Sequence, residues 1–216
     1  MQRQHLQERI VFVVKHILRQ TNPAWRFFQC ETPILTPADY ISDEYVSGND
    51  VYNTNDMAAG QGVYLRPETT AGSYAYMDWL LNQPKRKLPL CVWQAGKSFR
   101  KETNDGASAK KLRFNEFWQL EFQCVYAEGT KADYQARMVL GLAAEVEVMT
   151  GIRTRTVDSD RLPSYSTKTM DIEMRDNENK RWVEIASIST RKDNQHGPVL
   201  EIAIGLDRLV SLSAAS

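Results

Sequence analysis

Phe114-Asn115-Glu116-Phe117-Trp118-Gln119-Leu120-Glu121-Phe122-Gln123-Cys124-Val125-Tyr126 reads as one long strand, rich in aromatic residues and bounded by loop-forming sequence. Successive side chains of a strand point to opposite faces. One face here carries Phe114, Glu116, Trp118, Leu120, Phe122 and Cys124 and is largely apolar. The other carries Asn115, Phe117, Gln119, Glu121 and Gln123. That second face has two readings. It is a solvated sheet surface, as antiparallel sheets often present, or it is a floor on which an aromatic ring, carboxamides and a carboxylate hold a base and an amine.

Upstream, residues 91–95 and 98–102 read as two strands. A Gly/Ser/Asn/Lys loop at 103–111 joins them to the long strand, with Lys110, Lys111 and Arg113 at its end. Further upstream, Ile10, Val13, Val14, Ile17 and Leu18 repeat at helical spacing across residues 7–20. Asn22-Pro23 stops that helix. Residues 25–31 read as a strand, 42–61 as a polar loop, and Leu65-Arg66-Pro67-Glu68 opens a helix running to Leu81. Downstream, 133–150 reads as an amphipathic helix. Three strands follow at 167–174, 181–189 and 199–204, the first two joined by the turn Asn177-Glu178-Asn179-Lys180. Gly205 ends the last strand, and 206–215 reads as helix. Strands cluster late and are joined by turns more than by helices. The expected class is therefore α+β, a largely antiparallel sheet flanked by helices. The chain shows no internal repeat or linker, so residues 1–216 are expected to form a single domain.

The 216 residues are 42% apolar and 25% charged, an ordinary globular composition. Lys+Arg and Asp+Glu both number 27, so the formal charge is zero. This argues against a generic nucleic-acid-binding domain, which is usually basic overall. Cys30, Cys91 and Cys124 are odd in number and form no zinc-like cluster. A reducing, cytoplasmic setting is expected. No stretch reaches the roughly 20 apolar residues that cross a membrane.

Arg100 and Glu102 share a face at a strand end, where an arginine fork suits a phosphate. Glu201 interrupts the apolar run Val199-Leu200-Glu201-Ile202-Ala203-Ile204, and Glu184 interrupts Trp182-Val183-Glu184-Ile185-Ala186. An embedded carboxylate needs a cationic or hydrogen-bonding partner. Each is read either as half of a structural salt bridge or as a ligand for Mg²⁺ or a substrate ammonium. Arg208 stands in the first turn of the last helix, where the helix dipole disfavours an unpaired cation. No G-x-G-x-x-G or Walker A motif is present.

The order of these segments resembles the motifs of class II aminoacyl-tRNA synthetases, and among them the glycyl enzymes. Thr32-Pro33-Ile34-Leu35, then Phe99-Arg100-Lys101-Glu102 with its loop and Phe117, then Gly205-Leu206-Asp207-Arg208 are similar to that class's motifs 1, 2 and 3. Leu65-Arg66-Pro67-Glu68-Thr69 is similar to the glycyl L-R-P-E-T segment, and Gly96 to Glu102 to G-K-S-F-R-N-E. Arg113 to Gln119 resembles R-x-R-E-F-x-Q, Glu184 to Asp193 resembles E-x-x-G-I-x-N-R-x-D, and Val199 to Arg208 resembles V-I-E-P-S-A-G-V-D-R. The resemblance spans residues 9–210.

It implies activation of glycine or another small amino acid by ATP with Mg²⁺, then transfer from the aminoacyl-adenylate to tRNA. Arg100 would hold the α-phosphate and the substrate carboxylate, Glu102 the adenine amino group, and Phe117 the adenine ring. Arg113 and Arg208 would bind the outer phosphates, and Glu184 would help hold Mg²⁺. Glu68, Gln119, Glu121 and Glu201 would surround the substrate ammonium, with Arg191 as the pocket arginine. Ala203 stands where the glycyl family has serine, Ser187 where it has glycine, Thr190 where it has asparagine, and Asn115 where motif 2 has a second arginine. No anticodon-binding domain is expected after Arg208. The motif 1 region implies a homodimer. Two further readings are a paralogue acylating a carrier protein or metabolite, and a non-catalytic synthetase-like module.

Overall fold

The computed structural model describes residues 2–41, 45, 49–54, 62–102, 106–160 and 165–214. Most of the expected polar loop at 42–61, part of the loop at 103–111 and residue 215 lie outside them. In chain order the elements are α1 (Arg3–Thr21), β1 (Arg26–Gln29), β2 (Leu35–Pro37), β3 (Tyr52–Asn53), β4 (Val63–Leu65), α2 (Thr70–Leu81), β5 (Leu90–Phe99) and β6 (Glu116–Val125). Then come α3 (Tyr134–Thr150), β7 (Thr154–Asp158), β8 (Ser166–Asp176), β9 (Arg181–Arg191), β10 (Val199–Gly205) and α4 (Leu206–Ala214). Seven strands form the main sheet in the order β1-β5-β6-β10-β9-β8-β7, and β2-β4-β3 form a small second sheet.

The fold is α+β, as the strand clustering predicts, with specific departures. β1 runs parallel to β5, the other main-sheet pairs being antiparallel. The two strands expected at 91–95 and 98–102 are one strand, Leu90–Phe99. Gly96 does not break it; a Cβ there would strike the Arg66 guanidinium, so this glycine marks a close approach. Arg100 and Glu102 consequently lie beyond the strand end. Leu65 belongs to β4, and the helix expected from that segment starts only at Thr70. β7 carries no strand signal strong enough to separate it from the helix exit at Gly151, which takes φ 70°.

One face of β6 explains the core. Leu120, Phe122 and Cys124 are fully buried. They pack with Ile10, Val14 and Leu18 of α1, Met138 and Leu142 of α3, and Leu206 and Leu209 of α4. Asp133 caps α3 by accepting from the Ala136 amide at 2.9 Å. The opposite face of the sheet holds polar rows. α2 covers one end of it, where Met77 and Leu80 meet Leu90, Val92, Val125 and Val199. The other end is left for a cleft.

Candidate active site

Strand register builds the cleft floor. Glu121 of β6 lies opposite Ala203 of β10, Ala203 opposite Ser187 of β9, and Ser187 opposite Asp171 of β8. The next row is Gln123, Glu201, Ser189 and Thr169. Directly opposed residues share a face, so these side chains crowd one surface. Gln119, Glu121 and Gln123 are 6%, 0% and 0% exposed. Of the two readings of that face, the solvated surface is excluded.

A cleft of about 570 Å³ stands on this floor. Glu68, Arg100, Glu102, Arg113, Phe117, Gln119, Glu184, Glu201, Ala203 and Arg208 all line it. Glu121 and Arg191 do not: Glu121 is wholly buried beneath the floor, and Arg191 sits behind Glu201.

Three arginines occupy one part of the cleft. Arg100 donates to the Pro67 carbonyl at 2.9 Å and to Glu68 at 3.4 Å, and its guanidinium lies 5.3 Å from the Phe117 ring centre. Arg113 donates to Glu102 at 3.2 Å. Arg208 donates to the carbonyls of Leu112 and Glu184, both at 3.1 Å. Burial lowers the Arg208 pKa, and Arg100 and Arg113 lower it further against the pull of Glu184 and Glu102. Cations crowded this way favour a polyanion between them. The first turn of α4 is tied to β6, since Asp207 accepts from the Trp118 amide at 2.6 Å.

Carboxylates occupy another part. Glu121 accepts from Thr69 and Thr70 hydroxyls at 2.8 and 2.9 Å and from Gln123 at 2.7 Å. Gln123 also donates to Glu201 at 3.0 Å. Burial, then the charges of Glu201 and Glu68, push the Glu121 pKa up to about 8. Glu68 accepts from the Tyr45 hydroxyl at 2.7 Å, and burial raises its pKa although Arg100 opposes the shift. Such a group of acids gains from a cation among them. Glu201 finds the partner that its apolar run demands: Arg191 donates to it at 2.9 Å. The Arg191 guanidinium lies between the rings of Tyr165, at 3.8 Å, and Tyr74, at 4.1 Å.

Glu184 is not embedded, contrary to the reading of its apolar run; half of its side chain is exposed. A β-bulge accounts for this. Ala186 pairs with Ile172 but Glu184 pairs with Glu173, leaving Ile185 as an extra residue. The bulge turns Glu184 onto the cleft face, with a carboxylate oxygen 3.9 Å from Arg208. Among the described residues no three His, Cys, Asp or Glu side chains converge as a metal site. Mg²⁺ carried by a triphosphate needs only one or two carboxylates, and Glu184 offers one beside the arginines.

Sequence reasoning missed Tyr165, Asp171 and the hydroxyls of Thr69 and Thr70. Asp171 had a detectable signal, since a carboxylate in Met170-Asp171-Ile172 poses the question asked of Glu201.

Residues 52–212 match the family described as tRNA synthetase class II core domain (G, H, P, S and T). This chain belongs to that family. The class II core is 32% identical over 138 residues to the glycine–tRNA ligase of Macrococcus caseolyticus, covering 61% of the chain and 28% of the relative. It is 34% identical over 136 residues to that of Geobacillus thermodenitrificans, again covering 61% and 28%. The core thus spans less than a third of the curated relatives' length. It also superimposes on a crystal structure of prolyl-tRNA synthetase from Cryptosporidium parvum, complexed with halofuginone and AMPPNP. The TM-score is 0.66 at 15% identity, covering 95% of this chain and 45% of the other. That likeness is one of fold.

Proposed function

We propose that this class II core activates a small amino acid with ATP and passes the aminoacyl group to the end of a tRNA. One observation carries the reading: Arg100, Arg113 and Arg208 line the same cleft as Glu68 and Glu201, with Glu121 under its floor. Adenylation joins a carboxylate to a polyphosphate and needs positioning and charge neutralisation more than a protein nucleophile.

In this reading Arg100 holds the α-phosphate and the amino acid's carboxylate together. Phe117 stacks on adenine and Glu102 meets its amino group. Arg113 and Arg208 take the outer phosphates and stabilise the pyrophosphate that leaves when the carboxylate attacks the α-phosphorus. Mg²⁺ would supply further neutralisation, with Glu184 as its protein ligand. Glu68, Gln119 and Glu201 receive the substrate ammonium, and Glu121 below them gives up its proton as the ammonium binds. The glycine named for the relatives is the first candidate substrate. Ser187 and Ala203 alter the floor there, so alanine and serine are the next to test. A homodimer built on α1 follows the same reading; exposed Phe12, stacked on His16, is a contact residue for it. Among the described residues no helix is long and apolar enough to cross a membrane, which is compatible with work in the cytoplasm.

Pyrophosphate exchange across the twenty amino acids, with and without tRNA, tests this function. Exchange with one small amino acid and charging of tRNA is the expected result. No exchange with any amino acid overturns it, and exchange without charging of any tRNA reassigns the acceptor. Sedimentation at micromolar concentration tests the dimer, and a monomer there rejects it.

A further inference from the structure

Asp171 has no role in the reaction drawn above. It is 6% exposed, lines the cleft, and stands in the row Glu121, Ala203, Ser187, Asp171. Neighbouring strands lie about 4.8 Å apart, and β8 is two strands from β10. Asp171 therefore starts about 10 Å from Ala203, too far to share an ammonium with Glu201 and Glu121. The hydroxyls of Ser159 and Ser187 favour its ionised form against the burial that raises its pKa. Its Oδ1 has no hydrogen-bond partner among the described residues. A buried carboxylate oxygen left open in this way costs free energy unless something else donates to it.

The surroundings define what that donor can be. Glu184 and Asp160 both act on Asp171, and both are acidic. Burial raises its pKa, and those neighbours add to the rise. A phosphate or carboxylate is repelled here and drawn instead to the arginines. Thr169 and Ser189, bonded to each other at 2.9 Å, make the adjoining wall hydroxylic. The fitting group is an uncharged hydroxyl donor on a molecule whose phosphates lie elsewhere. A ribose has that chemistry, and an acidic side chain accepting from a ribose hydroxyl is a recurrent solution in nucleotide sites.

We propose that Asp171, with Ser187 beside it, is a subsite for a ribose hydroxyl, belonging to the nucleotide itself or to the terminal nucleoside of the acceptor. The inference rests on the nucleotide-dependent reaction proposed above. Binding titrations separate the two sources. In one arm the wild-type chain is titrated with ATP, 2′-deoxyATP and 3′-deoxyATP. In the other it is titrated with tRNA ending in adenosine, 2′-deoxyadenosine or 3′-deoxyadenosine. A site built to bond a hydroxyl rejects the analogue lacking it, so removal of one hydroxyl is expected to weaken binding at least tenfold in one arm. That arm names the source, and Asp171→Asn and Asp171→Ala erase the discrimination there. Equal affinities within twofold in both arms overturn the proposal. So does a variant that keeps the discrimination and changes only which amino acid supports exchange. Should neither variant fold, by far-ultraviolet circular dichroism, the wild-type analogue comparison decides alone. Loss of the adenylation reading shows separately, as absent pyrophosphate exchange.

Discussion

Arg191 and Glu201 form an ion pair at 2.9 Å in which both side chains are 9% exposed. Two aromatic rings hold the guanidinium, and Asp193 takes its remaining fork at 2.7 Å. Removing Arg191 leaves the buried Glu201 carboxylate without a cation. Arg191→Ala is expected to cost about 3–5 kcal/mol in urea unfolding. Arg191→Met with Glu201→Leu should recover much of that loss while abolishing amino-acid activation. A single-variant cost below about 1 kcal/mol would show that the pair is solvated in solution.

Arg100→Ala should lower pyrophosphate exchange by about 10²–10³-fold, the usual effect of deleting one preorganised transition-state donor. Arg208→Ala should lower it similarly. Exchange within threefold of wild type would remove these arginines from the phosphate site.

Phe117→Ala tests the adenine position separately. Base–aromatic stacking is worth about 1–3 kcal/mol. The KM for ATP should rise by on the order of 10-fold while the KM for the amino acid stays put. A change confined to the amino-acid KM would move Phe117 to the other substrate.

The buried carboxyl of Glu121 gives stability a pH dependence of definite sign. Its pKa rises from 4.5 to about 8 on folding, through burial and the charges of Glu201 and Glu68. Between those values the native state keeps a proton that the unfolded chain has released. Stability therefore falls as pH climbs through that window. Glu121→Gln should flatten the decline measured by urea unfolding between pH 5 and pH 8.5. A decline as steep as wild type would place the titration on another group. Binding of an ammonium among these acids should also release protons near neutral pH, readable by calorimetry in buffers of different ionisation heat.

Gly96→Ala brings a methyl group against the Arg66 guanidinium. Arg66 ties the chain before the small sheet to β5 through the Thr32 carbonyl at 2.7 Å and the Lys97 carbonyl at 2.8 Å. The substitution should destabilise by about 1–3 kcal/mol, as overpacking does. Differential scanning calorimetry showing no loss of Tm would mean that Arg66 moves freely.

Periodicity carried most of the fold. The alternation in β6 announced a strand with a polar face, and the 3.6-residue spacing in α1 and α3 announced the covering helices. Periodicity does not encode strand partners, so the parallel pairing of β1 with β5 was not legible. Gly96 misled because glycine in a strand signals either a break or a close approach, and only the position of Arg66 decides between them. The site was legible where charge interrupts apolar sequence, as at Glu201. It was illegible where the partner comes from a distant segment. Thr69 and Thr70 reach Glu121 across 52 and 51 positions of the chain, a proximity that no local pattern records.

The extra residue at Ile185 makes the alternation of β9 change phase midway. Ser187, Ser189 and Arg191 follow one parity on the cleft side, and Glu184 joins them from the other. Pairing Ile185 with Glu173 in strict alternation would set Glu184 opposite Met174 and point it into the apolar layer. It would also shift the carbonyl that receives Arg208 at 3.1 Å. The distance between acid and arginine is therefore stored as a counting offset in the backbone.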